Sequence, residues 1–466
     1  MQLDDTIVAI ATPPGRGGIG IVRIAGPAAQ ELAVQMLRLK HKLAHGHAIF
    51  GDLIQPGVEY PGEPDRLDEV VVTYFAKPHS YTTDDIVEIA AHGSPVILNH
   101  ILAMCVARGA RLAQPGEFTM RAFLNGRIDL AQAEAVRDLI ESQTLYQAKV
   151  AAQQLGGALS HRIHPIKKTL LELIAALEAG VDFAEDDISV MRGPQILEQI
   201  NAIRSPLTKL AASFSYGQIV HQGLSLAIVG RPNVGKSSLF NRLVERERAI
   251  VTATPGTTRD LVSETVAIGG IPVRLMDTAG IRLALDEAEN IGIQKSMEAL
   301  ADADLVLLVL DASQTVSDED SELLNRLEGR AAIVVENKVD LIGGPGGQKC
   351  KKRNGVLASN GQKRLPTSAL SGDGIPELRA EILAQVGGNT SSQGEAGFIT
   401  SLRHQNLVTT SLTALNAAES AVCNNIPHEM ILLDLYNSLH ALDEITGATT
   451  TDDILNLIFS TFCIGK

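Results

Sequence analysis

Apolar and polar positions follow three different rhythms along this chain of 466 residues. Up to residue 127, short β-branched runs dominate: 6–11 and 19–24, separated by Pro-Pro-Gly-Arg-Gly-Gly at 13–18, then 70–75 and 86–90. Each run predicts a strand, while 28–39 and 95–108 carry apolar residues at helical spacing. The glycine-rich turn at 15–20 lacks a Lys-Ser pair and opens onto a strand, so it reads as a tight hairpin and not a phosphate loop. From residue 128 the period lengthens, and 130–140, 145–159, 166–177 and 196–210 read as helices, with little strand signal before Gln222. The acidic residues 182–187 read as a solvated turn. Residues 224–386 then alternate strand and helix signals, and helical spacing returns over 402–421, 430–446 and 451–462. The expected fold class is α/β multidomain. An N-terminal α/β domain covers 1–127, and an all-α domain is split into 128–222 and 387–466. A doubly wound, mostly parallel α/β domain over 223–386 is inserted between its halves. Such insertions succeed where a host loop is exposed and the guest's ends lie close together. Gly-Gly-Asn-Thr-Ser-Ser-Gln-Gly at 387–394 suits a flexible joint, and the Gly/Lys-rich stretch 343–364 reads as a surface loop able to meet an acidic partner.

Length alone agrees, since ~150 residues per domain suggests about three. Apolar residues make up 45% and charged residues 20%, as in soluble globular proteins. Aromatics are only 3%, with no Trp, so stacking platforms for bases are not a theme. A net charge of −14 disfavours coating nucleic acid by bulk attraction, so any such contact needs a local basic patch or a basic partner. Cys105, Cys350, Cys423 and Cys463 have neither disulfide nor zinc spacing, which suits a reducing cytosol. The N-terminus lacks a signal pattern, and the longest apolar run, 305–310, is far short of a membrane span. The expectation is a cytoplasmic protein that makes no use of a membrane.

The candidate chemistry centres on Gly230-Arg-Pro-Asn-Val-Gly-Lys-Ser-Ser238, which follows a buried-strand signal and precedes a helix signal. Gly230, Gly235, Lys236 and Ser237 fit the phosphate-loop pattern. Glycines let backbone N–H groups turn toward phosphate oxygens, and the helix N-terminus adds its positive end. Lys236 would reach the β- and γ-phosphates and Ser237 would ligate Mg²⁺, with Asn233, Val234 and Ser238 completing the contacts. Asp277-Thr278-Ala279-Gly280 follows the run 273–276: its Asp would sit in the outer shell of Mg²⁺, and the Gly280 N–H would meet the γ-phosphate. Asn337-Lys338-Val339-Asp340 follows the run 332–335, and a buried Asp340 would accept from guanine N1 and N2, which adenine does not offer. Ser368, Ala369 and Leu370 supply the last guanine contact. Four motifs in this order specify GTP.

Between the first two lies a switch loop, 250–260, in which Thr258 is the Mg²⁺ ligand by its position in Gly-Thr-Thr-Arg. Its order would depend on the γ-phosphate. Where Ras-like enzymes carry a water-orienting Gln, this chain has Ile281, and an apolar residue cannot polarise water. Asp286, Glu287 or Glu289 just beyond can take that part, or all three can be solvated acids. Asn233, beside the Thr-rich switch, suits a monovalent cation in the place of an arginine finger, or else it is loop filler.

The ending Phe-Cys-Ile-Gly-Lys at 462–466 narrows the reading. It accompanies the stretch 4–24, Pro-Gly-Glu-Phe-Thr-Met-Arg-Ala-Phe-Leu-Asn-Gly at 115–126, and Asp-Leu-Ala-Gln-Ala-Glu-Ala at 129–135. Along its whole length the chain resembles the MnmE (TrmE) family of tRNA-modification GTPases. The resemblance implies a folate-binding N-terminal domain, a split helical domain and an inserted GTPase domain. It implies a homodimer joined through the N-terminal domains, whose GTPase domains meet when GTP and potassium are bound. It also implies an FAD-dependent partner, MnmG (GidA), with FAD present only through that partner, in a heterotetramer acting on tRNA. The complex adds a carboxymethylaminomethyl or aminomethyl group to carbon 5 of the wobble uridine, with a one-carbon tetrahydrofolate (5-formyl or methylene) as donor.

By resemblance, K⁺ ligands fall on Asn233, Thr252, Thr254 and Thr257, Mg²⁺ ligands on Ser237 and Thr258, and the water-orienting acid on Glu289. Nucleotide contacts extend over Thr252, Ala253, Thr254, Pro255, Gly256, Thr257 and Thr258. Folate contacts fall on Arg23, Glu88, Arg127 and Lys466, and Cys463 is implicated in modification. Arg23 and Arg127 suit an anion and Glu88 a pterin edge, though Arg23 also reads as a surface charge and Glu88 as a paired edge acid. Arg127 stands where the family is expected to have Lys, which keeps charge but not point-like geometry. Ala253 and Pro255 depart from the expected Asp-Ile-Ala-Gly wording, and a backbone carbonyl from Thr254 survives such change. The competing class is a regulatory GTPase of ribosome assembly or translation, which has no need of the folate positions or of 462–466.

Overall fold

The computed structural model describes residues 4–55, 66–182, 191–244, 263–277, 303–342, 364–385, 397–449 and 451–465. The acidic turn beyond Asp182, the loop 343–363 and the joint 387–394 lie outside these. The chain forms two compact units, one of residues 1–137, 155–157 and 443–466, the other of 138–154 and 158–442.

In the first unit, β1 (Ile7–Ile10), β2 (Gly17–Ala25), β3 (Leu37–Leu39), β4 (Ala48–Ile54), β5 (Arg66–Phe75), β6 (Ile86–Gly93) and β7 (Arg111–Leu112) form a seven-stranded sheet ordered β3-β4-β5-β6-β2-β1-β7. β1 and β2 form the antiparallel hairpin expected from the glycine-rich turn. The two-residue period sends alternate side chains to opposite faces. Val8, Val22, Ile24 and Ile89 pack with α1 (Ala29–Val34) and α2 (Pro95–Ala107), while Ile7, Ala9 and Ile86 pack with Phe118 of α3 (Glu117–Leu124). The helix expected over 28–39 is shorter than its periodicity suggested. It ends at Val34, and Leu37 pairs with Leu53 of β4, so sheet pairing overrides the local pattern. α4 (Leu130–Glu141) and α14 (Asp452–Ser460) share a core of Leu130, Val136, Leu455, Phe459 and Phe462.

Four ionic side chains tie the ends of this sheet to α3. The Arg121 guanidinium, 1% exposed, donates to Asp5 Oδ1 at 2.5 Å and to Glu117 Oε1 at 3.0 Å. Arg111 donates to Asp5 Oδ2 at 2.6 Å and to Glu117 Oε1 at 2.5 Å. Burial by itself raises the Asp5 and Glu117 carboxyls, but the arginine hydrogen bonds outweigh it and hold both below the ordinary carboxylate range.

In the second unit, β8 (Leu224–Val229), β9 (Ser263–Ile268), β10 (Ile271–Asp277), β11 (Leu305–Asp311), β12 (Ala332–Asn337) and β13 (Arg364–Pro366) are ordered β13-β12-β11-β8-β10-β9. Every neighbouring pair is parallel except β9–β10. The continuous apolar runs of β8 and β11 are buried, as strands covered on both faces must be. α9 (Lys236–Val244) follows β8, α10 (Asp318–Arg326) joins β11 to β12, and α11 (Ile375–Gln385) follows β13. The rest of the unit is helical: α5 (Leu145–Leu155), α6 (Ala158–Asp182), α7 (Gly193–Ala212) and α8 (Phe214–Gln222) precede the sheet, and α12 (Leu402–Cys423) and α13 (His428–Thr446) follow it. α7 packs on α6 and α12, and the buried hydroxyls of Ser411 and Ser438 meet at 2.7 Å between α12 and α13. The chain is thus an α/β multidomain protein with a nucleotide-type sheet between helical segments. Among the described residues, no helix is long and apolar enough to cross a membrane.

Replacing Arg121 by Met should cost about 3–5 kcal/mol, because Glu117 keeps its burial and loses a partner. Both carboxyls are lowered on folding, so their contribution is present at neutral pH and is lost as pH falls through the lowered values. Urea melts at pH 7 and near pH 3 should show the gap between wild type and Arg121→Met closing on acidification.

Candidate functional site

The sheet of the second unit changes direction at β8. β10 lies on one side of it and β11 on the other, so a crevice opens at the carboxyl ends of these strands. The expected motifs emerge there. The phosphate loop follows β8, Asp277 ends β10, Asn337 ends β12, and Ser368 to Leu370 follow β13. The loop's bends are backbone-built. Gly230, Asn233 and Gly235 all have positive φ, at 147°, 65° and 94°. A Cβ on Gly230 would strike the Val309 carbonyl oxygen, and one on Gly235 would strike the Asn337 amide nitrogen. Lys236 opens α9 and donates to the Gly230 and Arg231 carbonyls at 2.7 and 2.8 Å, its ammonium curled over the loop. Asn233, Ser237 and Ser238 are exposed, and Val234 is buried as the loop's anchor.

Asn337, 1% exposed, joins two motifs. Its Nδ2 donates to Val234 O at 3.0 Å, and its Oδ1 accepts from Ala369 N at 3.0 Å. Lys338 has φ of 67° and donates to Asp311 Oδ2 at 2.7 Å. Val339 N donates to Thr367 O at 3.2 Å, which ties the Asn-Lys-Val-Asp turn to the end of β13. Asp340 was expected to be buried. It is exposed, because it stands on a 3₁₀ turn beyond the end of β12, and its Oδ1 accepts from Ser368 Oγ at 2.5 Å. Ser368 is fully buried, Ala369 nearly so, and Leu370 is open to solvent. Thr252, Ala253, Thr254, Pro255, Gly256, Thr257, Thr258, Thr278, Ala279, Gly280, Ile281, Asp286, Glu287, Glu289 and Lys466 lie outside the described residues, and of Asp277 only the backbone is described.

The first unit holds a second candidate site, a cavity of about 710 Å³ lined by Phe75, His79, Tyr81, Glu88, Asn125 and Arg127 among others. Arg23 and Glu88 face each other across β2 and β6 and form an ion pair, with Arg23 Nη2 2.7 Å from Glu88 Oε1. These are interior strands of the sheet, so Glu88 is a paired acid but not an edge one. The Arg23 guanidinium also lies 5.6 Å from the Phe118 ring centre and 5.9 Å from that of Tyr81. Arg127 lies 5.1 Å from the same Tyr81 ring, so one phenol is flanked by two cations. Burial pushes the Tyr81 hydroxyl up, and its hydrogen bond with Thr119 and the two arginines only partly offset it. The chain's end closes on this region. Gly465 accepts from Arg23 Nη1 at 3.3 Å, and at φ of 96° it sits so near Ile10 O that a Cβ would meet it at 2.6 Å. Cys463 is exposed, and its carbonyl accepts from Gly116 N at 3.4 Å.

The family model of the GTP-binding protein TrmE N-terminus matches residues 6–127, and that of the MnmE helical domain matches residues 130–463. A tRNA modification GTPase MnmE of Koribacter versatilis (strain Ellin345) is 62% identical over 470 residues, covering 100% of each chain. The chain belongs to the MnmE family. A second member, from Aquifex aeolicus (strain VF5), is 44% identical over 467 residues, covering 99% of this chain and 100% of that one.

Sequence reasoning missed several residues that shape these MnmE sites. Arg242 of α9 donates to the carbonyls of Ala369 and Leu370, holding the last loop from below. Arg231 donates to Asp320 Oδ1 at 2.8 Å, tying the phosphate loop to the first turn of α10. Its only signal was a cation inside the loop pattern, which the pattern leaves free. Tyr81 carried no signal, since an aromatic in a loop is ordinary, and Asn125 stood in the 115–126 stretch with no role of its own. Replacing Asn337 by Ala should strand the Val234 carbonyl and the Ala369 N–H together. At about 1–3 kcal/mol for each buried group left without a partner, the melting midpoint should fall by several degrees in a thermal scan.

Proposed function

We propose that this chain is the GTP-hydrolysing subunit of a tRNA-modifying complex. With an FAD-dependent partner, MnmG, it adds a carboxymethylaminomethyl or aminomethyl group to carbon 5 of the wobble uridine of certain tRNAs. The observation that carries the reading is the presence of two unlike sites in one chain. One has phosphate and guanine motifs at the carboxyl ends of parallel strands. The other is an arginine-flanked cavity beside the chain's last residues. A GTPase that only controlled docking would need the first and not the second. The MnmE relatives are themselves named tRNA modification GTPases.

At the nucleotide site, the loop bent at Gly230, Asn233 and Gly235 and the α9 N-terminus suit phosphate oxygens, and Lys236 suits the β- and γ-phosphates once it leaves its own carbonyls. Ser237, exposed on the first turn of α9, fits Mg²⁺ with Thr258, an ion that would neutralise phosphate charge. Asn233, exposed and left-handed, fits a shared K⁺ site with Thr252, Thr254 and Thr257, where the ion would supply the positive charge of an arginine finger. Asp340, open to the crevice, accepts from guanine, and Glu289 orients the attacking water. Pairing of two GTPase domains within a homodimer completes the cation site.

At the second site, a reduced folate with a one-carbon group is the fitting ligand. Glu88 suits the pterin N–H edge. Arg127 suits the glutamate carboxylate better than Arg23, whose charge is already met by Glu88. Cys463, two residues before the Arg23-bound Gly465, and Lys466 are the residues that would serve transfer of the one-carbon group to the uridine. An acidic chain can serve tRNA in this way when its partner supplies most of the basic surface.

GTP turnover should be stimulated by potassium at least ten-fold over sodium, and equal rates in the two salts would remove the cation assignment. Glu289→Ala should slow turnover about 10²-fold while GTP affinity changes little; lost affinity would make Glu289 structural. Mass spectrometry of wobble uridines from cells lacking the protein should show the carbon-5 substituent missing, and unchanged uridines would refute the proposal.

A further inference from the structure

The nucleotide reading assigns roles to the four motifs and leaves out the strand between them. β11 runs between β8 and β12, and its last residue, Asp311, lies between the phosphate loop and the Asn-Lys-Val-Asp turn. Asp311 has a side chain only 2% exposed, which is an unusual place for a carboxylate unless its oxygens are fully engaged. They are. Oδ1 accepts from Ser313 N at 3.0 Å and from Ser313 Oγ at 2.6 Å, and Oδ2 accepts from Lys338 Nζ at 2.7 Å. Burial by itself raises the carboxyl, but Lys338 and Ser313 outweigh it and keep it below the ordinary range, so the group is an anion at neutral pH.

The geometry points to Asp311 as a positioning residue for guanine-nucleotide binding, acting through Lys338. Lys338 sits in a left-handed backbone conformation that a long side chain rarely adopts, and it immediately precedes the residues that lead to Asp340. Its stem passes Gly235 of the phosphate loop: a Cβ built there would lie 3.9 Å from Lys338 Cε. The lysine chain is therefore one wall between the phosphate loop and the base-reading turn, and among the described residues its ionic partner is Asp311. A mobile four-carbon stem loses rotamer freedom when a ligand packs against it. A buried anion that already holds the ammonium has met that cost before the nucleotide arrives. Ala312 N also donates to Asn337 O at 2.8 Å, so the backbone after Asp311 is keyed to the same turn. Nothing in the phosphate-loop or guanine patterns marks Asp311, because it ends a strand that carries neither motif.

This inference rests on the reading of the crevice as a guanine-nucleotide site. The test measures mant-GDP and mant-GTP affinity by fluorescence titration, and steady-state turnover, for the full-length protein and variants. Asp311→Asn is expected to weaken both nucleotides about ten-fold and to raise KM by a similar factor, with kcat at saturation moved by less than two-fold. Asp311→Glu should recover part of the loss. In a Lys338→Met background, Asp311→Asn should cost less than two-fold more, since the group it positions is gone. Ser313→Ala, which removes the hydroxyl donor to the carboxylate and keeps the residue's backbone N–H, should leave affinity within two-fold, and a ten-fold loss there would assign the effect to the loop and overturn the assignment. Wild-type affinity in Asp311→Asn, or an equal loss with and without Lys338, would overturn the assignment. If the wild-type protein bound neither nucleotide, the reading of the crevice would fail first and this inference with it.

Discussion

The nucleotide-type unit depends on one buried amide. Asn337 is the last residue of β12, and its side chain both donates to the loop after β8 and accepts from the loop after β13. Two loops that leave different strands are thereby held at one spacing, whatever else moves. An Asp here would have no donor for Val234, and a Leu would pair with neither group. The identity of the residue is set by what the backbone on either side must satisfy. The adjacent members of its motif work outward from that anchor: Lys338 toward Asp311, Asp340 toward Ser368 and the open crevice.

The amino-terminal sheet is held in a different way. Apolar side chains pack on both of its faces, but its closure onto α3 runs through Asp5, Arg111, Glu117 and Arg121. Such a network adds little net stability over an apolar replacement of the same shape. It does fix where α3 begins, and α3 sets Phe118 beneath Arg23. The cavity's cationic rim is thus positioned by a polar cluster on the far side of the sheet from the α1 and α2 core.

Much of this was legible in the sequence, and for physical reasons. The strands at 224–229 and 305–311 are continuous apolar runs bounded by turn residues, and the helices at 402–423 and 428–446 repeat apolar residues over several turns. Those signals are long enough to outweigh local noise. β3 and β4 were not legible, because Leu37–Leu39 continues a helical spacing and Ala48–Ile54 contains Gly51 and Asp52, and both are strands only because they pair. In the sites, pattern residues such as Gly230, Lys236 and Asn337 announced themselves by spacing. Arg231, Arg242, Tyr81 and Asp311 did not, since each matters through a partner distant in sequence: Asp320, Ala369, Arg127 and Lys338. The exposure of Asp340 was also hidden, because a spacing rule places a residue after a strand without saying how far the chain climbs out of the sheet.

The tight seat of Gly230 has a practical bearing on how variants of this protein should be interpreted. Any side chain there collides with the strand next door before a phosphate is involved, so a Gly230 substitution reports damage to the scaffold. Ser237 is exposed on the first turn of α9, and among the described residues its hydroxyl makes no hydrogen bond. Of the residues in this one short loop, the serine is the clean reporter of ligand chemistry, and the glycine is a reporter of architecture.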